Sequence, residues 1–299
     1  MKAVRFTSYG NPDVLTLTDV DTPTPGPGEI VISVAGAGIN QIDAKIRSGA
    51  MASGAPLASS SGTGFDAAGT VLETGANVDD VHPGDLVFGT GRNTLAEQAI
   101  LTRWALIPDG VDPVEAGAWG VAVETANRLL TELGIDTGTI ILSGASGGVG
   151  SALIQLARGR GLRVVGTASE KNHAYLESLG AVAVSYGIGL VERVKAVAPE
   201  GIAGALDLSG AGVISDLIDL VGDPAKVISI SDFTAPKLGA RVSTGATRTT
   251  DPRDGFAEAR SLSGFSLHIE HRYTLAEAAA AHRAAETGHT VGKLVVVLE

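Results

Sequence analysis

With 299 residues, 44% of them hydrophobic and 40 of them glycine, the chain is long enough to bury two cores and too apolar for a disordered or fibrous protein. A net charge of −11 with no run of Lys or Arg excludes a nucleic-acid backbone as partner. The complete absence of cysteine excludes disulfides, thiolate nucleophiles, iron–sulfur clusters and every cysteine-bearing zinc site.

The start, MKAVRFTSYGNPDVL, has no apolar core of signal-peptide length, and no apolar run is long enough to cross a bilayer, so a cytoplasmic protein with no membrane partner is expected. The first hundred residues read as short strands broken by Gly/Pro turns: KAVRF, IVISVAGAGI, AAGTVLETG and GDLVFGTG. This texture predicts a compact β-rich domain, barrel-like or sandwich-like. From Pro113 it becomes helical, and VEAGAWGVAVETANRLLTELG carries apolar residues at helical spacing until Gly134. Then buried strands (TIILSG, RVVGTA, AVAVS, ALDLS, KVISI, ARVST) alternate with helix-length amphipathic segments. That alternation predicts a doubly wound parallel sheet covered on both faces. The tail runs through the extended SLHIEHRY, the capping box Thr274–Glu277 and the strand LVVVL, which are read as completing the first domain. The expected division is residues 1–116 with 251–299, and 117–250.

The strongest local signal is TIILSGASGGVGSALIQLA, a buried strand that enters a glycine-rich turn and then a helix. Gly147 lets the backbone approach a pyrophosphate and Gly150 lets the helix pack on the strand. The helix amino terminus, through Gly148 and Val149, offers unpaired N–H groups to the phosphates. Ala145 stands where the first glycine of G-x-G-x-x-G falls, followed by Ser146. Twenty residues on, the second strand ends Thr167-Ala168-Ser169-Glu170-Lys171. An acidic tip would grip a ribose 2′-OH, whereas a small residue flanked by a hydroxyl and an ammonium suits a 2′-phosphate, so NADPH is the expected cofactor. Ser169 as a helix cap and Lys171 as a solvated charge form the alternative reading.

Over essentially the whole chain, GINQIDAKIRSG, GTGFDAAGTVLETG with HPGDLVFG, GASGGVG, GTASEKNHAYLESLGA and TVGKLVVVL follow the order found in medium-chain reductases of the zinc-independent quinone oxidoreductase type, which the chain resembles. The resemblance implies an α/β protein: a GroES-like β-rich catalytic domain built from both chain ends, with a Rossmann NADP-binding domain between them. It also implies a homodimer. Zinc-dependent alcohol dehydrogenases of the same superfamily carry a Cys in the first segment and Gly-His-Glu in the second. Here those stretches read Asn40-Gln41-Ile42-Asp43 and Gly64-Phe65-Asp66, and none of the six histidines has ligand spacing, so no metal site is expected.

By likeness, Asn40 lies near the nicotinamide and the substrate oxygen, and Asp43 and Arg47 form a polar pair of the same loop; a loop-capping pair is the alternative reading of Asn40 and Asp43, and solvated charges that of Arg47 and Lys45. Thr125 contacts the carboxamide, and Gly292 with Lys293 closes on the cofactor. Lys45 stands where several relatives have a tyrosine, a candidate proton donor. The loop from Gly49 to Gly64 is small and polar, either an open entrance or a plain connection. The implied activity is NADPH-dependent reduction of quinones or α,β-unsaturated carbonyls, small electrophilic acceptors, by direct hydride transfer without zinc. Reduction of an enoyl thioester or another activated ketone, and a non-catalytic NADPH-binding redox sensor, are the rival readings.

Overall fold

The structure is a computed structural model and describes residues 1–52, 54–57, 59–246 and 248–298. Ser53 and Ala58 of the loop between Gly49 and Gly64 lie outside the described residues. In chain order the elements are β1 (Lys2–Phe6), β2 (Thr16–Asp19), β3 (Ile30–Ile39), α1 (Gln41–Arg47), β4 (Ser61–Gly62), β5 (Asp66–Thr74), β6 (Leu86–Arg92), β7 (Gln98–Leu106), α2 (Pro113–Ala116) and α3 (Gly120–Leu133). They continue with β8 (Thr139–Ser143), α4 (Gly148–Gly159), β9 (Arg163–Ala168), α5 (His173–Ser178), β10 (Val182–Ser185), α6 (Leu190–Val197), β11 (Gly204–Asp207), α7 (Ile214–Val221), β12 (Val227–Ser229) and β13 (Arg241–Val242). The last are α8 (Pro252–Ser261), β14 (Ile269–Thr274), α9 (Ala278–Glu286) and β15 (Lys293–Val297).

Contacts divide the chain into two compact units, Met1–Val121 with Ser266–Glu299, and Ala122–Phe265. In the first unit a six-stranded sheet runs β14-β15-β3-β5-β6-β7, and an extra pairing of β3 with β7 closes β3, β5, β6 and β7 into a small barrel. Closure pairs both edges of each barrel strand, and β3 is buried along almost its whole length instead of alternating because its outer face is covered too, with Val114 of α2 set directly against Gly36. Ile30, Ile32, Val71, Val87, Leu101 and Val296 fill its core. The tail joins this unit because β15 pairs antiparallel with β3, Leu294 opposite Ile39.

The helical run expected from Pro113 is broken between α2 and α3. The Gly117 carbonyl accepts from Gly38 N–H of β3 (2.9 Å), so it is lost to the helix ladder, and a side chain at Gly117 would collide with the Gly36 backbone.

The second unit holds a wholly parallel six-stranded sheet, order β10-β9-β8-β11-β12-β13. From β8 the chain winds outward through β9 and β10, then returns to β11 on the other side of β8, which makes the β8/β11 junction the topological switch point. The helix α8 belongs to this unit and not to the first, as a boundary at residue 250 had implied. Its Phe256 is fully buried, Gly255 lies against Asn127, and Glu258 binds Arg160 (2.7 Å) and Asn127 (2.8 Å). Gly117–Val121, expected in the second domain, stay with the first through the Gly38 contact and the bond from Val121 N–H to Asp66.

Candidate cofactor and catalytic site

In the second unit, β8 ends at Ser143 and the chain turns through Gly144, Ala145 and Ser146 into α4. Ala145 is buried and its N–H donates to the Thr167 carbonyl of β9 (3.2 Å), which ties the turn to the neighbouring strand. Gly147 is the N-cap of α4 and offers no side chain to its first N–H groups. Those of Gly148, Val149 and Gly150 therefore point out of the helix with its positive end behind them. A methyl on Gly147 would meet only the Gly144 carbonyl oxygen, at 3.7 Å, so the space above the turn is open. A methyl on Gly150 would collide with the Ala145 backbone, because here the helix lies directly on the turn. Open donors above and tight packing below are what a diphosphate cradle requires.

The tip of β9 bears out the strand end read from sequence. The strand stops at Ala168, Ser169 is half-buried, and Glu170 and Lys171 are exposed in a turn beyond it. Ser169 occupies the N-cap position of that turn but makes no side-chain cap bond there. The turn is joined to the glycine-rich loop by Asn172 Nδ2, which donates to Ser146 Oγ (3.4 Å). Two features here had no role in the sequence reading. Tyr186, 59% exposed, leaves the sheet one residue after Ser185, the partner of Ala168 across the β9–β10 pair. At the end of β11 the buried Asp207 carboxylate accepts from Ser209 N–H (3.1 Å), Gly210 N–H (3.1 Å), Ser209 Oγ (3.0 Å) and Ser229 Oγ (2.8 Å), which shapes the loop at the switch point.

In the first unit, Asn40 ends β3 and opens α1, Asp66 begins β5, and Lys293 begins β15. Lys293 Nζ donates to Asn40 Oδ1 (2.6 Å) and to Asp66 Oδ2 (2.8 Å). Asn40 Nδ2 donates to the same Asp66 Oδ2 (3.0 Å), and Val121 N–H, at the start of α3, donates to Asp66 Oδ1 (2.6 Å). Asp66 is thus the hub of the cluster. Sequence reading quoted it only as a vestige of a metal motif, because nothing local shows which groups reach it. Gly292 has φ +68°, and a Cβ there would collide with the His268 carbonyl, a place only glycine fits, and this turn aims Lys293 inward.

Asp43 is fully buried one turn into α1, and its Oδ2 accepts from Asn40 N–H (2.7 Å) while Oδ1 has no partner. Burial pushes its pKa up to about 7; the Asn40 N–H opposes this, and the Asp66 charge adds to it.

Asp43 and Arg47, expected as a polar pair, are not joined. The Arg47 guanidinium is fully buried on the side of α9, donating to the Gly10 carbonyl (3.0 Å) and forming an ion pair with Glu286. Lys45 is half-buried on α1. Thr125, in the second unit, is buried and gives its hydroxyl to Glu124 (3.1 Å).

The model of the alcohol dehydrogenase GroES-like domain matches residues 26–130, and the model named zinc-binding dehydrogenase matches residues 179–296. A quinone oxidoreductase from Sus scrofa is 30% identical, with 100% of this chain aligned to 89% of that protein. The chain belongs to the quinone oxidoreductase family of the medium-chain dehydrogenase/reductases. Another relative of this family member, the NADPH-dependent alkenal/one oxidoreductase of Arabidopsis thaliana, is 28% identical over 99% of this chain and 79% of its own length. The quinone oxidoreductase structure from Coxiella burnetii superposes with a TM-score of 0.83 at 28% identity, covering 100% of this chain and 99% of that one. This quinone oxidoreductase family member is accordingly an enzyme, an oxidoreductase with a GroES-like and a Rossmann unit. Among the described residues no helix is long and apolar enough to span a membrane, and no group of His, Cys, Asp or Glu side chains is arranged to hold a metal ion.

Proposed function

We propose that this protein reduces quinones or α,β-unsaturated carbonyl compounds with NADPH and without zinc. The observation that carries the proposal is the open, side-chain-free amino terminus of α4 above Gly147, beside a β9 strand whose last residue is the small Ala168 in place of a carboxylate. These residues fit a phosphorylated dinucleotide: the N–H groups of Gly148, Val149 and Gly150 for the diphosphate, Ser146 at its flank, and Thr167, Ser169 and Lys171 for the adenosine end and its 2′-phosphate. Thr125 and Gly292 are assigned to the nicotinamide end by family likeness. When bound, NADPH supplies a hydride to an electron-poor conjugated carbon.

The chain's own contribution is to orient the acceptor and hold the charge that develops on its oxygen. Asn40 has one amide hydrogen committed to Asp66 and Lys293 has two of three committed, so each has one donor left for that oxygen. Lys45 is the proposed source of the final proton.

A zinc ion does not fit these residues. Phe65 offers no ligand atom, and the ammonium of Lys293 already bridges Asn40 and Asp66. The outer edge of β13, without a strand partner among the described residues, supports a homodimer formed by sheet continuation, and an enzyme working in the cytoplasm completes the reading.

Nicotinamide absorbance followed with a panel of quinones and enones, with and without a metal chelator, tests the proposal. NADPH consumption by at least one acceptor class, undiminished by chelator, is expected. NADPH binding with no acceptor turned over would replace the proposal with a sensor role, and loss of turnover on chelation would overturn its zinc-free part.

A further inference from the structure

The loop 186–189 between β10 and α6 carries little that would hold it in place. Ile188 is fully exposed, Tyr186 is 59% exposed, and Gly187 and Gly189 have φ of +89° and +80°. A segment with so little burial and two permissive residues is left free by its own composition. Besides the backbone bond from Leu190 N–H to the Gly187 carbonyl (3.0 Å), one side chain gathers it among the described residues. Arg193, on the first turn of α6, donates from Nε to the Ser185 carbonyl (3.0 Å), from Nη1 to Ile188 (2.8 Å), and from Nη2 to Tyr186 (3.2 Å) and Gly187 (3.1 Å). The planar fork of a guanidinium makes this wrapping possible. No carboxylate pairs with Arg193 among the described residues, so its charge is not cancelled at short range.

The position of the loop gives the clamp a consequence. Ser185 pairs with Ala168, so residues 186–189 leave the sheet beside the turn of Ser169 and Lys171. Ser185 Oγ lies 3.4 Å from His173 Nε2, and the adjoining Asn172 reaches Ser146, so the three loops around the β9 tip are stitched together.

We propose that Arg193 is a positioning residue that sets the preference for NADPH over NADH by fixing the 186–189 loop, and with it the Tyr186 phenol, beside the turn that receives the 2′-phosphate. This rests on the nucleotide site read under the proposed function. Arg193 touches neither the reacting atoms nor the nicotinamide, and it acts through the loop.

The test compares wild type, Arg193→Gln, Arg193→Lys, Tyr186→Ala and the Arg193→Gln/Tyr186→Ala double variant. Affinities for NADPH and NADH, steady-state parameters and thermal midpoints are measured for each. Arg193→Gln is expected to raise the NADPH KM and dissociation constant about ten-fold with kcat retained, and to change those for NADH less than about two-fold. Lysine, which cannot fork to four carbonyls, is expected to restore little of this. The double variant is expected to be no worse than the more affected single variant, since both act through one loop. Equal weakening of both cofactors, full additivity in the double variant, or a lowered thermal midpoint without the affinity split would overturn the proposal. A wild-type protein with no preference for NADPH would instead overturn the nucleotide-site reading beneath it.

Discussion

Lys293 Nζ lies 2.8 Å from Asp66 Oδ2, and the two side chains are 6% and 0% exposed, so most of the ion pair is withdrawn from water within the first unit. Such a pair adds little net stability while both partners are present, yet removing one leaves the other charged and buried. Lys293→Met is therefore expected to cost about 3 kcal/mol in urea unfolding. Adding Asp66→Asn to it should recover much of that loss. Equal losses in the single and double variants would contradict this coupling.

Asp43 predicts a pH dependence of stability. Its folded pKa, about 7, is raised above the ordinary 3.8, so the folded protein keeps a proton that the unfolded chain has released. Its stabilising contribution is fully present below pH 3.8 and is lost as pH rises through about 7. Asp43→Asn, which retains an acceptor for Asn40 N–H, should abolish that loss, visible as a flatter unfolding free energy between pH 4 and 7.

His282 predicts the opposite slope. Both of its ring nitrogens are buried without partners, and burial, aided by the Arg47 charge, lowers its pKa from 6.5 to about 4. The stability linked to its neutral form is complete above pH 6.5 and is lost as pH falls toward about 4. In the window the two groups share, wild type should show partial cancellation. His282→Leu should steepen the fall of stability with rising pH in that window, and an NMR titration of His282 that showed an ordinary midpoint would contradict the assignment.

Gly147 and Gly150 separate binding from folding. Gly147→Ala adds a methyl in open space, so the thermal midpoint should stay within a few degrees while NADPH affinity falls about ten-fold or more. Gly150→Val drives a side chain into the Ala145 backbone and should lower the midpoint itself. Unchanged NADPH affinity in the Gly147 variant would remove the α4 terminus from the binding site.

What the sequence by itself determined was whatever follows from local chemistry and period. Apolar strands alternating with helices require a parallel sheet with both faces covered, and the run from Ser143 to Gly150 requires a tight turn into a helix, because glycine alone admits that packing. The strand end at Ala168 was legible for the same reason, as was the missing thiolate chemistry. Tertiary structure decided the rest. Asp66 and Lys293 are 227 positions apart, and only the pairing of β15 with β3 and of β3 with β5 brings their charges together. The face of α1 that Arg47 occupies is set by the packing of α9 and the ion pair with Glu286, which helical spacing alone does not choose. The break at Gly117 was hidden because its carbonyl is claimed by a residue on β3, and the Asp43 pKa because it depends on exclusion of water, which no short stretch of sequence encodes.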